Sequence, residues 1–276
     1  MHVAIDFGAS NTDAIARIGT ELRRWMVPTI GKPNEARVRA VLAAGRIELA
    51  DVTWIAMTGG DRSALSDTIA GTPILSIPEV EAIGRGGLEL AGVSEAAIIS
   101  AGSGTAIVAA RPSGFQHISG TGVGGGTLVG LARLLIGTAD PGVVDALARA
   151  GNHTSVNLTI GEIIGEAIGS LPPDTTAVNF GRLAREASTP NRPDLAAGLV
   201  NLVGQVIGVV AINAARSQSL EHIVVIGHLA DLSSVRTTIA QVGEFYDAPI
   251  TIPQGGGYAT ALGALLAAEA LMKINA

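Results

Sequence analysis

The chain has 276 residues, which suffice for one large or two modest domains, and it carries a net charge of −6. Because the charge comes without a cluster of lysine or arginine, nucleic acid and anionic membrane surfaces are not expected as partners. The absence of cysteine excludes disulfides, zinc–thiolate sites and thiol catalysis.

The N-terminal third predicts strands that are separated by tight turns and helices. Strands are predicted in five apolar runs, which are 2–7, 12–18, 21–27, 52–57 and 73–76. Residues 8–11 form a Gly/Ser/Asn turn between the first two runs, which predicts a β-hairpin. Helices are predicted at 33–42 and from about Pro78.

A similar pattern restarts beyond residue 95. Two apolar runs, 97–101 and 105–109, flank residues 102–104 and predict a second hairpin. The remaining predicted elements are a helix after the glycine run 120–126, a long helix from about Asp194 to Ser217, a strand at 222–226 and a final helix after residue 255. The chain is therefore predicted to form two α/β halves, residues 1–95 and 96–276.

The chain starts directly with a predicted strand, and its most apolar stretches contain the polar residues Gln205 and Asn213. We therefore expect neither an export signal nor a membrane span. The expected location is the cytoplasm.

Glycine-marked turns recur at the ends of the predicted strands, at 8–11, 102–104, 120–126 and around 227 and 255–257. A backbone without Cβ atoms approaches ligands closely, and free N–H groups at a helix start bind phosphate. Each turn alone is equally compatible with a tight turn or with close helix packing. Together they predict one nucleotide site that is assembled from both halves.

Asp6 closes the first predicted strand beside the first of these turns. A carboxylate in this position can hold a hydrated Mg²⁺ while the turn faces phosphate oxygens. The alternative is a solvated hairpin without a ligand.

Eight motifs resemble those of type II pantothenate kinases in both order and spacing, and they cover nearly the whole chain. They lie at residues 5–10, 78–82, 102–105, 120–126, 178–181, 203–208, 223–227 and 257–263. The resemblance implies an α/β fold of two RNase H-like domains, as in actin, sugar kinases and the Hsp70 ATPase, with the nucleotide cleft between them. It implies phosphorylation of the primary hydroxyl of pantothenate or a pantothenate-like alcohol, with ATP and Mg²⁺, in coenzyme A biosynthesis.

The resemblance also implies a homodimer, and it leaves open whether coenzyme A or acyl-CoA acts as a feedback ligand. It assigns Glu79 as the catalytic base, which contacts the substrate, and gives the nearby Glu81 no such role. The alternative for Glu79 is a carboxylate that is simply favoured in a first helical turn by the helix dipole.

The resemblance distributes the remaining site residues around the cleft. Asp6 organises the metal, and Ser103 and His117 contact the substrate. The nucleotide contacts that it implies are Asp6, Gly8, Ala9, Ser10, Asn11, Ser103, Gly104, Gly124, Gly125, Gly126 and Thr127, with Gly227, His228, Gly257 and Tyr258 around the adenosine.

Two residues depart from the family pattern. Asp13 stands where family members usually carry a lysine, and His117 stands where they carry an arginine that contacts substrate. Both changes disfavour an anionic acceptor, because a fixed cation is lost at each position. His117 can also be an exposed strand residue without a role. Two alternatives therefore stay open, a kinase for another metabolite such as an N-acetylhexosamine, and a catalytically silent regulator that binds nucleotide or acyl-CoA.

Overall fold

The computed structural model describes residues 1–60, 65–187 and 189–274. The first half contains β1 His2–Phe7, β2 Asn11–Ile18, β3 Glu21–Pro28, α1 Glu35–Ala44, β4 Trp54–Gly59, β5 Thr68–Ile69, β6 Thr72–Ser76 and α2 Glu79–Ala91. The predicted strands and helices of this half are confirmed within a few residues of their expected bounds.

The second half is longer and contains more helices. Its strands are β7 Ala96–Ala101, β8 Thr105–Arg111, β9 Gly114–Thr121, β10 Leu158–Thr159, β11 Thr176–Val178, β12 Ile223–Ile226 and β13 Ile250–Thr251. Its helices are α3 Gly125–Ile136, α4 Pro141–Ala150, α5 Ile160–Ile164, α6 Gly181–Arg185, α7 Arg192–Ser217, α8 Ser233–Phe245 and α9 Ala259–Ile274.

The two main sheets have the same plan. The first has the strand order β3-β2-β1-β4-β6-β5, and the second has the order β13-β12-β7-β8-β9. In each, the first strand pairs antiparallel with the second and parallel with a strand that follows a helix. The β1–β2 and β7–β8 turns therefore occupy equivalent positions, at the carboxyl ends of β1 and β7.

The final helix returns to the first half of the molecule. Side chains of α9 pack with residues of β1, β2, β4 and α2 in one apolar cluster, although α9 lies within the range 96–276. The α2 and α9 backbones approach closely at Gly86 and Gly263. A Cβ at Gly86 would lie 1.8 Å from the Ala259 carbonyl oxygen, so only glycine permits this crossing. The α2–α9 pair thereby fixes the start of α2 relative to both sheets.

Helix α7 and the segment Gly256–Ile274 are long and apolar enough to cross a membrane, judged by length and composition alone. The interruption that we expected at Gln205 and Asn213 is wrong, because α7 continues through both residues. Gln205 accepts a hydrogen bond from the Asn179 side chain (3.0 Å), and Asn213 is exposed. Most apolar residues of α7 lie in the core that it forms with the second sheet, α3, α4 and α8. The absence of a membrane span stays a prediction.

Candidate functional site

A cavity of about 840 Å³ lies between the two halves. It is lined by most of the residues that the sequence assigned to the site. These lining residues are Asp6, Gly8, Ala9, Ser10, Asn11, Glu79, Ser103, Gly104, Gly125, Gly126, Gly227, His228 and Gly257. The cavity therefore brings together residues that are far apart in the sequence. Asp6 and Gly257, for example, are separated by 251 positions and both line it.

The tips of the two hairpins meet in this cavity. The Ser10 and Ser103 hydroxyl oxygens lie 2.6 Å apart, in hydrogen-bond contact. The backbone N–H groups of Ala9, Ser10, Ser103 and Gly104 have no acceptor within the described part of the chain. Four free N–H groups and two hydroxyls in one concave place suit the oxygens of a phosphate chain.

The glycine run before α3 has a different local role from the one expected. The Gly125 N–H donates to the Gly102 carbonyl (2.8 Å), and the Gly126 N–H donates to the Ser103 carbonyl (2.9 Å). A Cβ at Gly124 would lie 2.7 Å from the Ser103 carbonyl oxygen. The expectation that the N–H groups at this helix start are free is therefore wrong for Gly125 and Gly126. The run docks α3 onto the second hairpin, and both glycines still line the cavity.

Asp6 lies at the floor of the cavity, near two other carboxylates. Burial raises its pKa from 3.8 to about 8, with further contributions from Asp13 and Glu79, while His228 acts in the opposite direction. The described residues contain no group of three His, Cys, Asp or Glu side chains that encloses a metal ion by itself. Mg²⁺ commonly binds through one or two carboxylates together with substrate phosphates. An excess of carboxylates beside a phosphate-binding surface fits that mode.

Glu79 and Glu81 have different environments, although both begin α2. Glu79 lines the cavity and has no hydrogen-bond or ion-pair partner among the described residues. Glu81 is bound by the Arg85 guanidinium at 2.8 Å, in an i,i+4 pair on the same helix. Only Glu79 is therefore available to a ligand in the cavity.

His228 connects the two halves. Its Nε2 donates to Asp13 Oδ1 at 2.9 Å, and its Nδ1 lies 3.4 Å from Asp231 Oδ2. The hydrogen bonds to Asp13 and Asp231 raise the pKa of His228 from 6.5 to about 10. Tyr258 packs edge-on against the His228 ring at 5.3 Å between centroids but does not line the cavity. The negative charge of Asp13 is thus balanced by a cation from the other half of the molecule.

Three other predicted residues do not line the cavity. His117 is exposed on β9, opposite Val108 of β8. The Thr127 hydroxyl donates to the Gly122 carbonyl at 3.0 Å, which ties it into its own loop. Gly124 is buried against the second hairpin.

Among the cavity residues that the sequence analysis missed, one carries a positive charge. Arg133 on α3 lines the cavity, and its guanidinium has no partner among the described residues. The cavity lining also contains apolar side chains of α3, of the residues at and just before the start of α4, and of the segment after β12. These are Leu128, Val129, Ala139, Pro141, Leu229 and Leu232. The spacing of residues 126, 130 and 133 on the predicted helix could have revealed that Arg133 shares a face with the glycine loop.

Solved structures with this fold include nucleotide-bound proteins. The activator of the 2-hydroxyisocaproyl-CoA dehydratase from Clostridium difficile, with bound ADPNP, superposes with a TM-score of 0.69 at 16% identity, over 99% of this chain and 96% of that one. A ROK family glucokinase from Streptomyces griseus, in complex with glucose and AMPPNP, gives a TM-score of 0.59 at 15% identity, over 96% and 98%. The predicted α/β fold of two actin-like ATPase domains is confirmed.

Sequence relatives identify the family. The chain is 30% identical over 222 residues to a type II pantothenate kinase of Bacillus cereus, covering 78% of this chain and 81% of the relative. It is 29% identical over 217 residues to a type II pantothenate kinase of Oceanobacillus iheyensis, covering 76% and 80%. The Fumble family model matches residues 96–267. The chain therefore belongs to the Fumble family, that of the type II pantothenate kinases.

Proposed function

We propose that the protein is an ATP- and Mg²⁺-dependent kinase that phosphorylates the primary hydroxyl of pantothenate or of a pantothenate-like alcohol. The observation that carries this proposal is the unpaired Glu79 carboxylate in the same cavity as the two hairpin tips. A base, a phosphate-binding surface and an acidic floor are the parts that phosphoryl transfer to an alcohol requires. A homodimer and a cytoplasmic location complete the proposal.

In the proposed reaction, Glu79 accepts the proton of the acceptor hydroxyl as its oxygen attacks the γ-phosphorus of ATP. The bond between the γ-phosphorus and the β–γ bridging oxygen breaks, and ADP leaves with that oxygen. The free N–H groups of Ala9, Ser10, Ser103 and Gly104 would orient the phosphate chain for in-line transfer.

Asp6 is the residue that would hold Mg²⁺, which supplies positive charge to the phosphate oxygens when it is bound. Burial, followed by the charges of Asp13 and Glu79, raises the pKa of Asp6, and a bound cation would offset both effects on the ionised carboxylate. Asp6 would thereby hold the ion on the side of the first sheet.

The charges of the cavity support an acceptor that is neutral near Glu79. The lining contains two cationic side chains, His228 and Arg133, within the described residues. His228 is already paired with Asp13 and Asp231, and Arg133 lies more than two helical turns beyond the start of α3. An uncharged analogue such as pantetheine should therefore be used better than the pantothenate anion.

The experiment is an ADP-release screen of the purified protein with Mg²⁺-ATP and each of pantothenate, pantetheine, pantoate and N-acetylhexosamines. The Glu79→Gln variant, prepared in the same way, measures the background. We expect release above this background with pantothenate or pantetheine. Release with an N-acetylhexosamine alone would favour the sugar kinase alternative. ATP binding without release for any acceptor would favour a catalytically silent regulator.

A further inference from the structure

The face of α3 that borders the cavity has an unusual composition. Residues 125, 126, 128, 129, 130 and 133 line the cavity, whereas Ala132 and Ile136 are buried in the core and do not line it. Helix geometry places Arg133 about 12 Å along the axis from Gly125, because each residue adds about 1.5 Å. The helix therefore begins at the hairpin tips and leads away from them along the cavity wall.

Gly130 stands in the middle of this face without a packing reason. A Cβ built on Gly130 would have no atom within 4 Å, and its backbone conformation is an ordinary helical one. A glycine within a helix makes the helix less stable than an alanine would, so Gly130 lowers the stability of α3. What the glycine provides is a flat, open strip of cavity wall between Gly126 and Arg133.

Arg133 adds a cation beside this strip. Its guanidinium makes no ion pair or hydrogen bond within the described residues, and the lining residues one turn before it on α3, Val129 and Gly130, carry no polar side chain. An unpaired guanidinium beside an apolar surface can stack on a planar aromatic ring. A phosphate group bound at the same place would require further hydrogen-bond donors nearby. Arginine binds such rings face to face.

We propose that Gly130 and Arg133 form the binding platform for the base of the nucleoside triphosphate, with the guanidinium stacked on the purine ring and Gly130 leaving room for it. This inference rests on the proposed nucleotide binding and extends it by naming the residues that recognise the base. The phosphates then extend from this platform to the free N–H groups of the two hairpins.

The test compares two ligands that differ in the base and sugar. Dissociation constants of Mg²⁺-ATP and of Mg²⁺-tripolyphosphate are measured by calorimetry for the wild type, Arg133→Ala and Gly130→Leu. Leu134→Ala is the matched control, because Leu134 is next to Arg133 but 80% exposed and outside the cavity lining. Melting temperatures verify that each variant is folded.

We expect Arg133→Ala, which removes one cation–π contact, and Gly130→Leu, which fills the space for the ring, each to weaken ATP binding by about five- to tenfold. Tripolyphosphate affinity should stay within about twofold of the wild type, and Leu134→Ala should change neither ligand. Unchanged ATP affinity in both variants overturns the platform. Equal weakening of both ligands overturns it too, since Arg133 would then bind phosphate. A wild type that does not bind ATP refutes the proposed function itself, which is a separate result.

Discussion

Asp13 of β2 and His228 after β12 form a 2.9 Å hydrogen bond between the two halves of the protein. Asp13 is almost fully buried, and Asp231 contacts the second ring nitrogen of His228 at 3.4 Å. The departure from the family at Asp13 is therefore not an isolated negative charge beside the phosphates. It is part of a compensated group that joins the two walls of the cleft.

This pair predicts a pH dependence of stability. The pKa of His228 rises from 6.5 to about 10 on folding, so its stabilising contribution is complete below about pH 6.5 and is lost as the pH rises towards 10. We expect the melting temperature to fall across this interval. Asp13→Asn removes the largest cause of the shift and should make the fall shallower, while lowering the melting temperature at neutral pH by at least about 3 °C.

The control for this experiment is His222→Gln, because His222 is exposed beside β12 and outside the cavity. Its pH profile of melting temperature, measured by calorimetry, should match that of the wild type. A profile of Asp13→Asn that is as steep as the wild type would show that another group titrates.

Glu79→Gln should lower kcat by roughly 10²- to 10⁴-fold, because the amide keeps the size of the side chain but cannot accept the proton. ATP affinity should change little. Glu81→Gln is the matched control, and its effect should be mild, since Glu81 is bound to Arg85 and not free in the cavity. Steady-state kinetics with the accepted alcohol check both variants. Near-normal turnover of Glu79→Gln would remove Glu79 from the base role.

Asp6→Asn should raise the stability of the protein but lower its activity. Because the pKa of Asp6 is raised from 3.8 to about 8 on folding, the ionised side chain lowers stability progressively as the pH rises through this interval. The neutral amide of asparagine does not ionise, so the variant avoids this loss of stability. We expect a higher melting temperature than the wild type near pH 8 in the absence of nucleotide, a smaller gain near about pH 5, and severe loss of turnover. A lower melting temperature at both pH values would refute the electrostatic argument.

A substitution in the glycine run before α3 should lower the stability of the protein more than a substitution in a loop that only contacts phosphate. Gly124→Ala places a Cβ 2.7 Å from the Ser103 carbonyl oxygen, so α3 must move away from the hairpin. We expect a fall in melting temperature together with weaker ATP binding. Gly122→Ala is the control, because a Cβ there has no atom within 4 Å. Unchanged stability of Gly124→Ala would mean that the contact between helix and hairpin is dispensable.

Acceptor preference tests the charge balance of the cavity. In the proposed reaction, the carboxylate of pantothenate would find no unpaired cation on the α2 side of the cavity. A lost charged hydrogen bond costs on the order of 1.5–3 kcal/mol, about ten- to a hundredfold in affinity. We expect kcat/KM for pantetheine to exceed that for pantothenate. A wild type that prefers pantothenate by tenfold would show that some group supplies the missing charge.

Local sequence patterns were sufficient for much of the fold. The β1–β2 hairpin follows from an apolar run, a Gly/Ser/Asn turn and a second apolar run, all within residues 2–18. The start of α2 near Pro78 likewise follows from the local pattern, while the roles of Glu79 and Glu81, which the family resemblance assigned, stay predictions. Such features depend on neighbours in the chain, and short-range patterns report them directly.

Long-range pairings could not be predicted in the same way. Asp13 and His228 are separated by 215 positions, and nothing near either residue indicates the other. The run 124–126 was ambiguous for a different reason, since glycines serve phosphate binding and backbone contact equally well. Only the acceptors of the Gly125 and Gly126 N–H groups distinguish the two.

The repeated strand order places the two hairpin tips in equivalent positions, and their serines, Ser10 and Ser103, are in hydrogen-bond contact. The pair Asp6 and Asp13 at the end of the first hairpin corresponds to the pair Ser100 and Ala106 in the second. All four residues line the cavity, so a duplicated backbone carries one acidic wall and one neutral wall. A symmetric cleft would accept a polyphosphate in either direction. In the proposed reaction, this chemical asymmetry would give a bound polyphosphate a single polarity, because only the acidic wall of the first sheet would attract a metal ion.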